Sequence, residues 1–97
     1  MKYVFHPEAL TEYALAVEFY AERDVEVAQA FIDAVEDAIF RIVQSPTRWP
    51  VIDEDIRRCL VHKFPYGILY TLEEDFISIA AVMHCSREPN YWKQRIR

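Results

Sequence analysis

The feature that most constrains the fold of this chain is a long apolar stripe between residues 24 and 44. Asp24 is suited to cap the N-terminus of a helix there, and Pro46 ends the helix because proline disfavours helical backbone at the preceding Ser45. A helix with such a stripe must pack it against a second apolar layer. The apolar residues recur at the i, i+3, i+4, i+7 spacing of one helix face: Ala28, Phe31, Ile32, Val35, Ala38, Ile39, Ile42 and Val43.

The residues before this stripe predict a short strand and a first helix. Residues 2–5 alternate weakly between apolar and polar, and Pro7 is suited to the first turn of a helix that ends near Arg23. Because Asp24 follows Arg23 directly, with no linker, the two helices are predicted to form an antiparallel hairpin.

The second half of the chain has the pattern of strands. Residues 46–55 are predicted to form a loop, and residues 57–64 then alternate with a period of two. Two apolar runs at residues 68–72 and 76–83 flank the acidic residues 73–75, which is typical of a hairpin with a short loop. The sequence therefore predicts an α+β fold of order β-α-α-β-β-β, with the helical hairpin on a mostly antiparallel four-stranded sheet.

Length and composition predict one folded domain over residues 1–97. A chain of 97 residues is the size of one small domain, and its 53% of hydrophobic residues excludes intrinsic disorder. A single glycine excludes both glycine-rich phosphate-binding motifs, since each needs at least two. No cofactor is expected.

Charge is distributed unevenly along the chain, whose net charge is −5. Residues 1–54 carry four basic and eleven acidic side chains, whereas residues 55–97 carry seven basic and five acidic ones. This asymmetry predicts a small cationic surface on an acidic body, or an ordinary solvated acidic helix face beside a nearly neutral remainder. The acidic total argues against strong non-specific binding to nucleic acid, because each phosphate contact needs a cation.

The sequence predicts a cytoplasmic protein with no membrane association. The longest uncharged run, from Phe76 to Cys85, is about half of what a membrane-spanning helix needs. In such a compartment Cys59 and Cys85 are expected to be free thiols. They show no C-x₂-C or H-x₃-H spacing with the histidines, so no metal site is expected.

An ordered set of short motifs spans nearly the whole chain. They are Phe5-His6-Pro7-Glu8-Ala9, Ala28-Gln29-Ala30-Phe31, Pro46, Arg57-Arg58, Phe64-Pro65-Tyr66, Tyr70, Val82-Met83-His84, Arg87-Glu88-Pro89-Asn90-Tyr91-Trp92 and Arg95. With these motifs on this order of elements, the chain resembles the RelE/ParE superfamily of toxins from type II toxin–antitoxin systems. The spacing of the helices and the Arg-Pro-x-Tyr-Trp-like ending are closer to the ParE-like, plasmid-stabilisation branch.

The resemblance implies a helical hairpin on a curved antiparallel sheet and a function in bacterial growth arrest. ParE-like members inhibit DNA gyrase, and a cognate antitoxin neutralises them by folding its C-terminal segment onto the toxin. The expected function is therefore that of a ParE-like toxin. Two alternatives stay open: a RelE-like ribosome-dependent endoribonuclease that cleaves mRNA, and a non-toxic binding module on the same fold.

If the chain is a nuclease, four residues are the candidates for metal-independent catalysis. Cleavage needs a base, an acid and cations that stabilise the phosphorane. His84 titrates in the right range, Arg58 and Arg87 are suited to hold phosphate, and Tyr91 could donate a proton or stack on a base. In the resemblance, His84, Arg87 and Tyr91 stand where the nuclease branch carries its active side chains. The alternatives are a hydrogen-bonded structural role for His84 and a place beneath the helices for Arg58.

A second set of residues is predicted to bind the antitoxin or the target: Arg57, Lys63, Arg87, Trp92 and Arg95. In the resemblance, an acidic antitoxin segment neutralises such cations, with a helix in an apolar groove and a strand added to a sheet edge. The alternatives are an ion pair of Arg57 or Arg58 with Asp53 or Asp55, and anchoring of the tail by the rings of residues 91 and 92. A homodimer and a heterotetramer with the antitoxin are the candidate assemblies.

Overall fold

Two helices and five strands make up the part of the chain that the computed structural model describes, residues 1–88 and 90–96. Pro89 and Arg97, which belong to the predicted tail, lie outside the described residues. The elements are β1 (Lys2–Phe5), α1 (Pro7–Ala21), α2 (Val25–Gln44), β2 (Val51–Asp53), β3 (Ile56–Leu60), β4 (Tyr66–Leu72), β5 (Phe76–His84) and a 3-10 turn (Lys93–Ile96).

Both helices begin at side chains that cap them. The ring Nδ1 of His6 accepts a hydrogen bond from the backbone N–H of Glu8, with Pro7 in the first turn of α1. The carboxylate of Asp24 accepts one from the N–H of Glu26, as the sequence predicts, and α2 ends before Ser45. Caps at these two points fix where the chain leaves β1 and where it reverses between the helices.

The sheet has the order β1-β5-β4-β3-β2, in which β1 and β5 are parallel and the other pairs are antiparallel. The predicted α+β class is confirmed, but the sheet has five strands and not four. Residues 51–53, predicted to lie in a loop, form β2 and pair with β3 through Val51 and Arg57. Three residues are too few to show a period of two, and they pair because β3 would otherwise present an open edge. The strand predicted over residues 57–64 is shorter in the structure, where β3 ends at Leu60.

The helices cover one face of the sheet, and the residues after β5 cover the other. We call the first packing region the helix-side core; its buried members include Phe31, Val35, Ile39, Ile42, Cys59, Ile68, Tyr70, Ile77 and Ile79. We call the second the tail-side cluster; it comprises Ile56, Leu69, Ala81, Met83 and Trp92, with Tyr91 and Ile96 packed against it. Tyr70 therefore belongs to the core, as the sequence predicts.

A register shift between Leu69 and Tyr70 of β4 changes which residues of β5 face the helices. Ile79 and Val82 both face the helix-side core, whereas Ala81 between them faces the tail. This irregularity reverses which residues of β5 face the helices in the second half of the strand. Within the described residues, neither helix is long and apolar enough to cross a membrane.

Candidate functional site

The outer edge of β5 is only half covered by a neighbouring strand. β1 pairs with β5 as far as Phe5 opposite Ile79, and the chain then turns into α1. Beyond that point side chains satisfy the edge: the N–H of Val82 donates to Oε1 of Glu12 at 3.0 Å, and the carbonyl of Ala80 accepts from Arg95 at 3.1 Å. Buried backbone groups need hydrogen-bond partners, so the side chains of Glu12 and Arg95 take the place of a neighbouring strand beyond the end of β1.

Glu12 is the centre of a cluster that joins α1 to the tail. Its Oε1 and Oε2 accept from the two terminal nitrogens of Arg95, at 2.9 and 3.0 Å. Oε2 also accepts from the Tyr91 hydroxyl at 2.7 Å and lies 3.9 Å from Nη1 of Arg87. We call these four residues the latch cluster. The side chains of Arg95 and Glu12 are only 8% and 14% exposed, whereas Arg87 is 54% exposed.

The electrostatics of the latch cluster raise the pKa values of Tyr91 and Arg95 and so favour their protonated forms. Burial and the hydrogen bond to Glu12 raise the pKa of Tyr91 far above its ordinary value. Burial lowers the pKa of Arg95, but its hydrogen bonds to Glu12 and the negative charge there outweigh that effect and raise it. The Tyr91 ring also lies 4.0 Å from the guanidinium carbon of Arg87 and 5.0 Å from that of Arg95, measured to the ring centroid.

His84 lies at the end of β5, next to the start of the tail. Its Nδ1 accepts from the Ser86 N–H at 3.1 Å and is 2.7 Å from the Ser86 hydroxyl. Its ring packs edge-on against Tyr66, with 5.1 Å between centroids, and its carbonyl accepts from the N–H of Arg87. The structure thus brings the predicted residues His84 and Arg87 together, with Tyr91 beside Arg87.

Arg58 lies apart from these residues in the sheet. It pairs with Leu69 on β4, and its stem packs over Gly67, where an added Cβ would lie 3.3 Å from the Arg58 side chain. It lines a cavity of about 230 Å³ on the tail side, together with Met83 and Trp92. The interpretation that Arg58 lies beneath the helices is wrong, because its register on β3 turns it to the opposite face.

Of the residues predicted to bind a partner, three make internal contacts. Arg57 donates to the carbonyls of Thr47 and Trp49, at 3.1 and 2.7 Å, and so fastens the loop before β2. Trp92 is 3% exposed in the tail-side cluster, and Arg95 belongs to the latch cluster.

The other two predicted cations have more contact with solvent. Lys63 is exposed in the turn between β3 and β4, and Arg87 is the exposed member of the latch cluster. Asp53, a predicted partner of Arg57 or Arg58, pairs instead with Lys93 at 3.0 Å.

Glu12 is the residue that the sequence interpretation missed. It lies in α1, a helix for which the sequence predicted no site residue. The available signal is its spacing: it follows the buried Ala9 by three residues and precedes the buried Ala16 by four, which places it on the same helix face. A carboxylate on the inward face needs a partner, and the basic tail is where the sequence offers one.

Two apolar grooves lie on the helix side. One of about 320 Å³ runs between the helices and is lined by Leu10, Tyr13, Ala14, Val17 and Ile32. The other, of about 440 Å³, lies between β1 and α2 and includes Tyr3 and Phe40 among its walls. Among the residues that the structure describes, no group of His, Cys, Asp and Glu is placed to hold a metal ion.

Comparison with known proteins identifies the family of this chain. The family model described as ParE toxin of type II toxin-antitoxin system, parDE, matches residues 3–89. The fold is similar to a solved chain of the chromosomal ParDE toxin–antitoxin system from P. aeruginosa, with a TM-score of 0.76 at 12% sequence identity, over 87% of this chain and 95% of that one. No curated protein matches the sequence. Because the family model covers most of the sequence, the chain belongs to the ParE toxins of type II toxin–antitoxin systems.

Proposed function

We propose that this ParE toxin arrests growth by binding DNA gyrase, without catalysing a reaction itself, and that a cognate antitoxin neutralises it. The observation that carries the proposal is the position of Tyr91, whose hydroxyl donates its hydrogen bond to Glu12 inside the latch cluster. Membership of the ParE family supplies the expectation of gyrase as the target.

The chemistry of the site supports binding over RNA cleavage. Burial, and after it the Glu12 carboxylate, raise the pKa of Tyr91, because a released proton would leave a desolvated phenolate beside a negative charge. Nδ1 of His84 is already engaged by Ser86. Arg87 retains the geometry for binding: its guanidinium is half exposed and is stacked on an aromatic ring. We assign the target contact to Arg87, with Lys63 as a second exposed cation.

The helix side is where we place the antitoxin. The groove between α1 and α2 is apolar, and helices commonly bind such grooves through residues at i, i+4 and i+7. Strand addition is more favourable at the outer edge of β1 than on β5, because Glu12 and Arg95 already satisfy Val82 and Ala80 there. The antitoxin segment would then run from the interhelical groove to the β1 edge, as a chain that orders on binding.

Expression in growing bacteria tests the target. We expect induction to stop growth, with loss of negative supercoiling of a reporter plasmid and intact transcripts. Arg87→Ala should abolish the arrest, whereas His84→Ala should retain it, with His62→Ala as the control for an exposed histidine nearby. Cleaved transcripts, together with loss of arrest in His84→Ala, would establish the endoribonuclease alternative. Harmless expression of folded protein at high level would establish the non-toxic binding module.

Co-expression with the product of the adjacent reading frame tests the antitoxin surface. Leu10→Asp places a charge in the interhelical groove at a side chain that is exposed in the free toxin, and should reduce complex formation at least about tenfold, the equivalent of 1.4 kcal/mol. Leu15→Asp lies on the same helix but outside the groove, and should have little effect. Equal binding by both variants would contradict this placement. Light scattering of the purified complex distinguishes a heterotetramer from other assemblies.

A further inference from the structure

The tail-side face of the sheet depends on a segment that extends beyond the family match. That match ends at residue 89, whereas Tyr91, Trp92 and Arg95 all follow it. Trp92 is nearly inaccessible, and Arg95 reaches the edge of β5. The polar attachment of this segment to the body of the protein centres on one carboxylate, that of Glu12 in α1.

We propose that Glu12 is a positioning residue: it latches the tail to the open edge of β5 and thereby presents Arg87 as a fixed binding site for a carboxylate of a protein partner. The inference rests on the proposed function, in which Arg87 contacts the target. It goes further by naming the residue that orients Arg87 and the chemical group that Arg87 takes.

The charges of the latch cluster leave Arg87 only partly compensated. Arg95 makes two short hydrogen bonds to Glu12 and neutralises it, while Arg87 lies 3.9 Å from the same carboxylate and is half exposed. The cluster therefore has two guanidinium groups for one carboxylate, and the exposed Glu8, 3.7 Å from Arg95, offsets little of this positive charge because water screens it. The guanidinium plane matches a carboxylate in a two-bond geometry.

Tyr91 transmits the position of Glu12 to Arg87. The Tyr91 hydroxyl is held on Glu12 at 2.7 Å, and the guanidinium of Arg87 stacks 4.0 Å from the ring centroid. A side chain that is already held in its bound conformation loses less entropy when a ligand arrives. Because the whole chain has a net charge of −5, a carboxylate on a protein suits this single cation better than the dense charge of a nucleic acid.

Glu12→Gln tests the latch, and Glu8→Gln is its matched control. Glutamine is nearly isosteric but leaves the largely buried Arg95 with only the exposed Glu8 carboxylate, at 3.7 Å, as a counter-charge. Glu8 lies one turn earlier on α1, is largely exposed and is 3.7 Å from the same Arg95. We expect Glu12→Gln to raise hydrogen exchange at Val82 and in residues 90–96 at least about tenfold, with the β4 amides unchanged, as for a local opening. Glu8→Gln should change neither.

The NMR signal of the Arg87 side chain reports its position directly. In the wild-type protein the ring current of Tyr91 should shift the Nε–H resonance of Arg87 away from its solvent-exposed value. Glu12→Gln should remove that shift, as should Tyr91→Leu. A general loss of stability would not remove the shift in protein that is still folded, so this measurement separates a positioning role from a structural one. An unchanged shift in folded Glu12→Gln would overturn the proposal.

Growth arrest connects the latch to the proposed function. We expect Glu12→Gln to weaken growth arrest as strongly as Arg87→Gln. The double variant should arrest growth as well as either single variant, because both changes act through the Arg87 side chain. Full arrest by Glu12→Gln with its tail released would overturn the proposal.

If wild-type protein causes no arrest, the proposed function fails, and the exchange and NMR measurements still decide whether Glu12 positions Arg87. Should Glu12→Gln not fold, the double change Glu12→Leu with Arg95→Met removes the charges without leaving one unpaired, and its expected outcomes are the same.

Discussion

The two faces of one sheet are held by different kinds of interaction. On the helix side, two helices bury a continuous set of aliphatic and aromatic side chains against β3, β4 and β5. On the tail side, a short segment with one 3-10 turn covers a smaller cluster, and a buried carboxylate fixes its position. Apolar burial depends on area and has little directionality, whereas the latch depends on a few atoms at definite distances.

This difference predicts how each face fails. A lost apolar side chain in the helix-side core leaves a cavity, and its cost rises with the volume removed. A lost partner in the latch cluster leaves a largely buried charge with fewer partners, and the cost is that of desolvating the remaining group. The first kind of loss weakens the whole domain, and the second should free the tail before the rest unfolds.

Phe31→Ala should have the largest effect on stability. Phe31 is fully buried in the helix-side core, and its ring lies within 5.2 Å of the rings of Tyr20, Phe64 and Tyr66, between centroids. We expect a loss of about 4 kcal/mol in the free energy of unfolding, measured by urea denaturation. Phe40→Ala, on the exposed side of the same helix, should cost less than about 0.5 kcal/mol. Similar losses for both variants would contradict the assignment of the core.

Arg95→Ala should have the second largest effect, and a more local one. It removes the main partner of Glu12 and the donor to Ala80, so we expect a loss of about 3 kcal/mol by the same measurement. Asp37→Ala is the control, because it breaks an exposed pair with Arg41 at 3.0 Å and should cost about 0.5 kcal/mol or less. Equal, small losses would show that the latch is only a surface ion pair.

The helix side could be predicted from the sequence because its signal is periodic. The stripe from Ala28 to Val43 repeats over many residues. The N-cap Asp24 and the helix-ending Pro46 bound it, so the helix and its buried face follow from local sequence signals. The alternation that indicates β3 and the two apolar runs that indicate β4 and β5 are likewise local signals. β2 escaped prediction because its three residues pair only when β3 lies beside them.

The tail side could not be predicted in the same way, because its contacts join single residues that are far apart in the chain. Glu12 and Arg95 are separated by 83 positions, and no local pattern links them. The resemblance placed His84, Arg87 and Tyr91 at the end of the last strand and in the tail that follows it. In the structure the N–H of Arg87 donates to the His84 carbonyl, and the Arg87 guanidinium lies over the Tyr91 ring. Anchoring of the tail by its aromatic rings, an alternative that the sequence offered, agrees with the burial of Trp92. The inward position of Arg95 was not predicted, because it depends on the open edge of β5.

Tyr70→Phe sharpens the comparison by removing one polar contact from the helix-side core. The Tyr70 hydroxyl donates to the Pro46 carbonyl at 2.6 Å, so we expect a loss of about 1 kcal/mol near pH 7. Burial raises the pKa of Tyr70 to about 12 from 10.0. The folded state therefore disfavours the ionised form, and this stability is present below pH 10 and lost as pH rises from 10 to 12. The free energy of unfolding, measured by urea denaturation between pH 10 and 12, should fall less steeply with pH for Tyr70→Phe than for the wild type. An unchanged slope would show that ionisation of Tyr70 does not oppose folding.

Lys93→Gln should have the smallest effect, and it tests whether the tail has a second charged attachment of equal weight. Lys93 pairs with Asp53 of β2 at 3.0 Å, but both side chains are partly exposed, so water screens the pair and we expect a loss of no more than about 0.5 kcal/mol. Hydrogen exchange at Val82 should stay as in the wild type, because Glu12 still holds that amide. Faster exchange at Val82 in this variant would mean that the attachment at β2 and the latch open together. The tail would then be one cooperative unit held from both ends, and Glu12 would not be sufficient to keep it in place.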